Sequence, residues 1–561
     1  MDRWVALCRF VCLLTGVTAT ALTTSLFWAA AVQRKIQSEG QNHRKDAHNE
    51  SLSIPRIKSL AALAVTAAAS SDLYDTDALP NPEVITRLNA MFALPLDRLK
   101  VIVKQIISDM KTGLERDGGA IKMLPTFVTK RPSGRERGSY LAIDFGGTNL
   151  RVCELVLNGH AGEPQLLQSK FQISENVKTG SGSALFDFIA ECVRSFFQTH
   201  HALDAHDWNS KRWQLGFTFS FPVDQISIKA EIENFDEKES ANLSTDTSFI
   251  QGTLITWTKG FTATNVIDRD SIRLLEDAFE RMNLNIEVTA LVNDTTGTLI
   301  SHAYQNPDTY AGVILGTGSN CAYVEKFSNI TKFRGPPPPL GTTEMLINME
   351  WGGFDDAQVV IPRTKYDLLL DRNTPTPGSY TFEQLISGMY IGEIVRLVVL
   401  DLARTGDLFA KATIVVRSPL HKQYGFETSY MSRIERDHSF DLADVKALLE
   451  GDEFEIVGTT LADRKIIKAV CEMIGLRSAR LAAAGVCAVV TKMNKLNGCT
   501  IGIDGSLFEK YPHYPNRMRD AMREILGISS ENILLEQAKD GSGQGAGLIA
   551  ALAAEAAVGI Q

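Results

Sequence analysis

The chain is poor in basic charge: 57 lysines and arginines against 66 aspartates and glutamates give a net charge of −9. No basic surface results that would neutralise a phosphate backbone, which argues against a nucleic-acid partner. Cysteines are few and without pattern. The eight (Cys8, Cys12, Cys153, Cys192, Cys321, Cys471, Cys487, Cys499) form no CxxC pair and have no histidine at metal-ligand spacing. That argues against structural zinc and for buried thiols in a reducing compartment. Also missing is a helix pattern after the glycine cluster at 146–147, which runs instead into Leu150, Arg151, Val152 and Cys153. The dinucleotide fingerprint, which needs strand, glycines and then helix, is therefore disfavoured. At 44% hydrophobic and 22% charged over 561 residues, the composition is globular, with length for two or more domains.

Two separated stretches share one design, YLAIDFGGTNLRVCELV (140–156) and AGVILGTGSNCAYVEKF (311–327). Each is an apolar strand-like run, a Gly/Thr/Asn turn and a second apolar run, so each predicts a β-hairpin whose turn exposes backbone N–H groups suited to phosphate. An ordinary hairpin, in which glycine only supplies positive φ, is the competing account of either turn alone. As a pair they predict two similar lobes facing one nucleotide, the arrangement of a phosphoryl-transfer enzyme.

The N-terminus stands apart. Residues 10–32 form an uncharged stretch of 23 residues, enough to span a hydrocarbon core of about 30 Å. A cleaved signal peptide is the rival, with an apolar region of typically about 7–15 residues. Arg34, Lys35, Arg44 and Lys45 come after the stretch, against Arg3 and Arg9 before it, a bias that places the remainder in the cytosol. A cytosol-facing anchor is therefore expected, in the mitochondrial outer membrane or endoplasmic reticulum, with a cytosolic protein as the alternative. Residues 33–80 read as a polar and Ala-rich tether. The globular part begins near Asn81, and its first helix is predicted around residues 96–114, where Leu99, Ile102, Val103, Ile106, Ile107 and Met110 recur at helical spacing.

Between and beyond the turns lie residues with chemistry. ALVNDTTGTLI (290–300) puts Asn293 and Asp294 at a strand end before a helix start; Asp294 is the candidate general base, with helix capping as the plain alternative. LGFTFSFPVDQ (215–225) reads as a strand ending at Ser220, and QGTLITWTKGF (251–261) carries Thr258 and Lys259, the latter also readable as a surface lysine. Glu350 lies in NMEWGGFDD among apolar residues and glycines. Thr381 to Gln384 reads as a capping box opening one amphipathic helix with Leu385, Ile386, Met389, Ile394, Leu397 and Val398 on a face, and Glu383 in its first turn.

In their order, FTFSFP, WTKGF, NDTTGT, GTGSN, EWGGFD, SGMYIGE, IDGSLFEKYP and DGSGQGAG resemble the eukaryotic hexokinase and glucokinase family, its fungal members above all, over roughly residues 90–555. The resemblance implies an α/β fold of two lobes of the actin and heat-shock-ATPase (ribonuclease H-like) type, residues 81–285 forming mainly the small lobe and 286–561 the large one. It implies ATP as co-substrate, magnesium, a glucose-like hexose in the cleft and lobe closure on sugar binding. Carried over by motif, the sugar would be held by Ser220, Thr258, Lys259, Asn293, Asp294, Asn320, Glu350 and Glu383, Lys259 also steadying the developing oxyanion. The β-phosphate would sit at Asp144, Gly146, Gly147, Thr148, Asn149 and Arg151, with Asp144 a water-mediated magnesium partner. The γ-phosphate would reach Thr317 in the turn Gly316, Thr317, Gly318. The adenosine side would use Asp504, Gly505 and Ser506 with Gly541, Ser542 and Gly543.

One departure matters. Lys259 stands 39 positions after Ser220, about 21 more than in the resembled family. The excess falls at residues 226–246, polar and acidic, and reads as a solvent loop, a brake on closure or a translated intron. The expected activity is ATP-dependent phosphorylation of the 6-hydroxyl of glucose and related hexoses. A hexokinase-like sugar-sensing regulator is the alternative. The intact candidate residues speak against it.

Overall fold

A computed structural model describes residues 79–147, 149–159, 164–201, 210–221, 223–228, 249–257, 260–334, 338 and 341–558. The expected anchor at 10–32, the tether as far as residue 78, and Thr148, Thr258 and Lys259 lie outside the described residues.

Among the described residues, chain order begins with a helix that periodicity did not single out, α1 (Pro82–Phe92). Asn81 caps it by accepting from the Glu83 N–H, and proline occupies its first turn, where no N–H is missed. It buries only Val84, Leu88 and Phe92. The helix expected first comes next as α2 (Leu96–Glu115), burying Leu99, Ile102, Val103, Ile106 and Met110.

Two sheets organise the two lobes. The first runs in the order β4-β3-β2-β5-β8, where β2 is Arg137–Phe145, β3 Asn149–Asn158, β4 Gln165–Gln172, β5 Trp213–Phe219 and β8 Ile286–Val292. The second runs β1-β11-β10-β9-β12-β13, with β1 Leu124–Pro125, β9 Thr309–Leu315, β10 Ser319–Lys326, β11 Glu344–Asn348, β12 Cys499–Asp504 and β13 Ile533–Gln537. Each sheet contains the expected hairpin: β2 pairs antiparallel with β3, Phe145 opposite Leu150, and β9 with β10, Leu315 opposite Ser319. Each hairpin then continues into parallel strands, β2-β5-β8 and β9-β12-β13. A separate ribbon joins β6 (Val223–Ile228) to β7 (Phe249–Leu254), Ile228 opposite Phe249. Ile226, Ser227 and Ile228, expected in the loop, are instead paired with Gln251, Ile250 and Phe249; the rest of the expected loop lies within residues 229–248, outside those described.

The first lobe packs α3 (Gly182–His200) and α4 (Ser271–Arg281) on its sheet through an aromatic core that includes Phe186, Phe196, Phe217 and Phe219. Trp257 joins that core against Phe221 and Phe261, ring centres 4.9 and 5.4 Å away, and donates its indole N–H to the Ala263 carbonyl at 2.8 Å. The second lobe is built on α8 (Leu461–Lys492), against which α9 (Tyr514–Leu526) packs. Helix α8 is the one described helix long and apolar enough to cross a membrane, and most of it is buried in the core. The six cysteines described are free and buried; burial pushes the Cys153 and Cys192 thiols up to about 12, which keeps them unreactive.

The lobes are not contiguous in sequence, contrary to the division expected at 285/286. Helices α1 and α2 bury their apolar faces in the core of the second lobe, whereas β8 belongs to the first sheet. Between the sheets a third core combines Ala142, Leu155 and Val292 with Leu299 and Ile300 of α5 (Asp294–Gln305), Ala322 and Leu346, and Ala546, Ile549 and Ala550 of α10 (Gly541–Val558). Here α5 and α10 touch backbone to backbone: a Cβ on Gly545 would lie 2.1 Å from the Gly297 carbonyl oxygen. The contact brings the N-terminal turns of both helices toward one place between the lobes.

Candidate active site

Strand β8 ends at Val292 and α5 starts at Asp294, as the sequence predicts. The N-cap is Asn293, whose Oδ1 accepts from the Thr295 N–H at 3.0 Å and the Thr295 hydroxyl at 2.6 Å. The capping account of Asp294 thus passes to its neighbour. Asp294 is the first helical residue, half-buried, and its Oδ1 accepts from the Thr295 N–H at 2.9 Å.

Across from this turn, Asn320 at the start of β10 donates from Nδ2 to Asn348 Oδ1 at 2.8 Å, Glu350 Oε1 at 2.9 Å and, at 3.4 Å, Asn293 Oδ1. Glu350 comes after β11 in a left-handed conformation, φ 52° and ψ 53°, just before the single turn Trp351–Gly353. Trp351 is buried and donates to the Ser319 hydroxyl at 3.1 Å, which fixes the chain on the far side of Glu350. The solvated-carboxylate reading of Glu350 fails: it lines a cleft with Asn293, Thr296, Asn348 and Phe221.

The capping box expected at Thr381 to Gln384 does not form. Helix α6 is Thr381–Ile386, preceded by Tyr380 at φ 62° with no side-chain cap. Its first N–H groups are taken by Asp356, 2.8 Å from the Thr381 nitrogen and 3.3 Å from that of Tyr380. The Gln384 amide turns away to Asp371 and the Ser379 carbonyl. Nor is there one continuous amphipathic helix: Ser387 is extended, and α7 (Gly388–Thr405) starts afresh, leaving Met389 exposed. The break comes from the second glycine turn, whose Gly316 and Thr317 carbonyls accept from the Gly388 and Met389 N–H groups at 2.8 and 3.1 Å.

Glu383 therefore does more than complement a helix dipole. Its Oε2 accepts from the Ser319 N–H at 3.0 Å, and a Cβ on Gly318 would come within 3.0 Å of that oxygen. Glu383 also packs over Gly352, two residues past Glu350. The Tyr380 phenol records both carboxylates: burial first, then Glu350 and Glu383, push it above its ordinary value.

Of the residues expected to face the nucleotide, Asp144 lies near the end of β2 opposite Arg151 of β3. One carboxylate oxygen, Oδ2, takes the Arg151 guanidinium and the Ser542 hydroxyl, the latter at 2.8 Å. Arg151 also reaches Asp540 at 2.9 Å. Gly146, Gly147 and Asn149 form the turn, closed by the Gly146 N–H on the Asn149 carbonyl. The segments expected on the adenosine side converge as well. Gly316 lies against Gly505 next to Ser506; burial raises Asp504, opposed by the N–H groups of Gly505 and Gly541; and a Cβ on Gly543 would meet the Cys153 sulfur. Ser220 stands just past the end of β5.

Several neighbours carry no strong sequence signal. Asp356 acts through Tyr380 and Thr381, distant in sequence, and Asn348 through Asn320, equally distant, as well as through Glu350. Met389 and Thr428, whose hydroxyl donates to the Gly388 carbonyl at 2.7 Å, flank the second turn. Thr296 lines the cleft with a buried hydroxyl that has no partner among the described residues. It sits inside NDTTGT, where a threonine beside an aspartate carries no chemical signal of its own.

Known proteins resemble this chain over most of its length. Family models described as hexokinase match residues 84–232 and 244–304 in one part and 310–552 in the other. Hexokinase-1 of Schizosaccharomyces pombe is 39% identical over 475 residues, covering 84% of this chain and 91% of that protein. A glucokinase of Aspergillus niger is 37% identical over 500 residues, covering 84% and 96%. A solved hexokinase from Schistosoma mansoni, complexed with glucose, is 31% identical with a TM-score of 0.72 over 84% of this chain and 99% of that one. On these matches and on the two-lobed fold, the chain belongs to the hexokinase family.

Proposed function

We propose that this protein transfers the terminal phosphoryl group of ATP to the 6-hydroxyl of glucose or a closely related hexose. The observation that carries the reading is the direct bond between the two halves of the site: Glu383, a sugar-side carboxylate, accepts from Ser319 at the mouth of the 316–318 turn. A hydroxyl held by Glu350, Glu383 and Asn320 would thus lie beside a phosphate seated on that turn. Carboxylates accept and amides both donate and accept, which suits an uncharged polyhydroxylated ligand. The glucose bound by the Schistosoma relative supports the same class of substrate. Asp294 is the proton acceptor for the attacking hydroxyl.

Magnesium fits the donor set as an ion brought by the nucleotide. Asp144 Oδ1 has no protein donor among the described residues, whereas Oδ2 is saturated by Arg151 and Ser542. One carboxylate with water and phosphate oxygens is how this ion is commonly held in kinase sites. Bound there, it would neutralise charge on the phosphates; the chain's own part is to hold Asp144 in place through Arg151 and Ser542.

A coupled assay of glucose-dependent ADP formation tests the activity, and no turnover with any hexose would overturn it. Asp144→Asn is expected to raise the KM for ATP by about tenfold, in line with losing a charge-assisted contact, with the KM for glucose nearly unchanged. Attachment to a cytosol-facing membrane through residues 10–32 is supported by the length of that uncharged run. Alkaline carbonate extraction tests it, and release of the full-length chain would contradict a spanning segment.

A further inference from the structure

Asn348 ends β11, opposite Ala322 of β10 and Leu124 of β1. The residue is 7% exposed and lines the cleft. Its Oδ1 accepts from Asn320 at 2.8 Å and its Nδ2 donates to Glu350 Oε1 at 2.9 Å. Asn320 donates to the same Oε1 at 2.9 Å. One oxygen of Glu350 is thus filled by two amides, and among the described residues Oε2 is the oxygen left for a ligand hydroxyl. Regular secondary structure does not aim this carboxylate, because Glu350 is left-handed and lies outside both β11 and the turn after it.

We propose that Asn348 is a positioning residue for hexose recognition: it sets the orientation of the Glu350 carboxylate and of the Asn320 amide without touching the sugar. The role requires an amide. A carboxylate at 348 would face Glu350 with like charge, and an apolar residue would leave a donor and an acceptor unpaired. This rests on the reading of Glu350 and Asn320 as hexose contacts.

Steady-state kinetics of Asn348→Asp, Asn348→Ser and Glu350→Gln in the full-length protein, at about pH 8 and about pH 6, tests it. For the Asp variant the KM for glucose should rise about tenfold or more at the higher pH and recover partly at the lower, as the facing carboxylates come to share a proton. The KM for ATP and kcat should stay within about twofold of wild type. The Ser variant should raise the glucose KM equally at both pH values, and it decides the matter if the Asp variant is insoluble. Glucose and ATP constants rising together, or a glucose KM unchanged in both variants, would overturn the proposal while Glu350→Gln remains impaired. A silent Glu350→Gln would instead remove the sugar-site reading, and the proposal with it.

Discussion

Replacing Asp294 by asparagine is expected to lower kcat about 10²–10⁴-fold, the usual contribution of a positioned general base, while glucose still binds. The substitution separates two roles that alanine would confound. An amide oxygen at 294 can still accept the Thr295 N–H, so the local geometry of the first turn survives. Helix capping is untouched, because Asn293 supplies it. What asparagine cannot do is take a proton from the sugar hydroxyl. Titration calorimetry should therefore give a glucose affinity within a few fold of wild type, and thermal melting should barely move. Asp294→Ala should lose the same rate with a somewhat larger loss of stability. A kcat within about tenfold of wild type in the Asn variant would remove Asp294 from the role of base.

Much of this architecture is legible from local pattern. The paired glycine turns announce two hairpins because strand, turn and strand are adjacent in sequence. Asp294 is legible because a strand-to-helix junction has a short signature. The misreadings share one physical cause, a partner far away in the chain. Thr381 and Gln384 have the spacing of a capping box, but the Thr381 N–H that Gln384 would serve is taken by Asp356, 25 residues before it, and the Gln384 N–H goes to the Tyr380 carbonyl. The helix expected to run through Ser387 is cut by carbonyls from a turn about 70 residues upstream. The lobe boundary is displaced for the same reason: α1 and α2 come first in sequence but find their apolar partners in the second core. Asn348 has the sequence setting of an ordinary strand residue, and it is distinguished by its two amide contacts, one with Asn320 on another strand and one with Glu350 two residues on.

Arg477→Met is expected to cost about 3–5 kcal/mol, the usual penalty for stripping one partner from a buried ion pair. Arg477, on α8, grips Asp367 with both terminal nitrogens at 2.8 and 2.7 Å, and the two side chains are only 2% and 3% exposed. Asp367 also closes a capping box with Thr364 at the start of the helix Lys365–Arg372, and the guanidinium lies 4.9 Å from the centre of the Phe92 ring on α1. One cation therefore ties together three helices of the second lobe, and methionine replaces its bulk but not its charge. Burial alone would push the Asp367 carboxyl up; the Arg477 charge and its hydrogen bonds, with those from Thr364, outweigh burial and hold it below the usual carboxylate range. With a lowered folded-state value, this stabilisation is complete above the unfolded value of about 3.9 and is lost as pH falls below it. In the Met variant burial dominates and the sign reverses, so the gap to wild type should be widest near neutrality and narrow toward about pH 4. Urea unfolding monitored by tryptophan fluorescence at several pH values measures both effects. Adding Asp367→Leu should restore much of the loss, since an apolar pair needs no counter-charge. A single-variant penalty under about 1 kcal/mol at neutral pH would mean that water reaches Asp367 and that the pair does not hold the lobe.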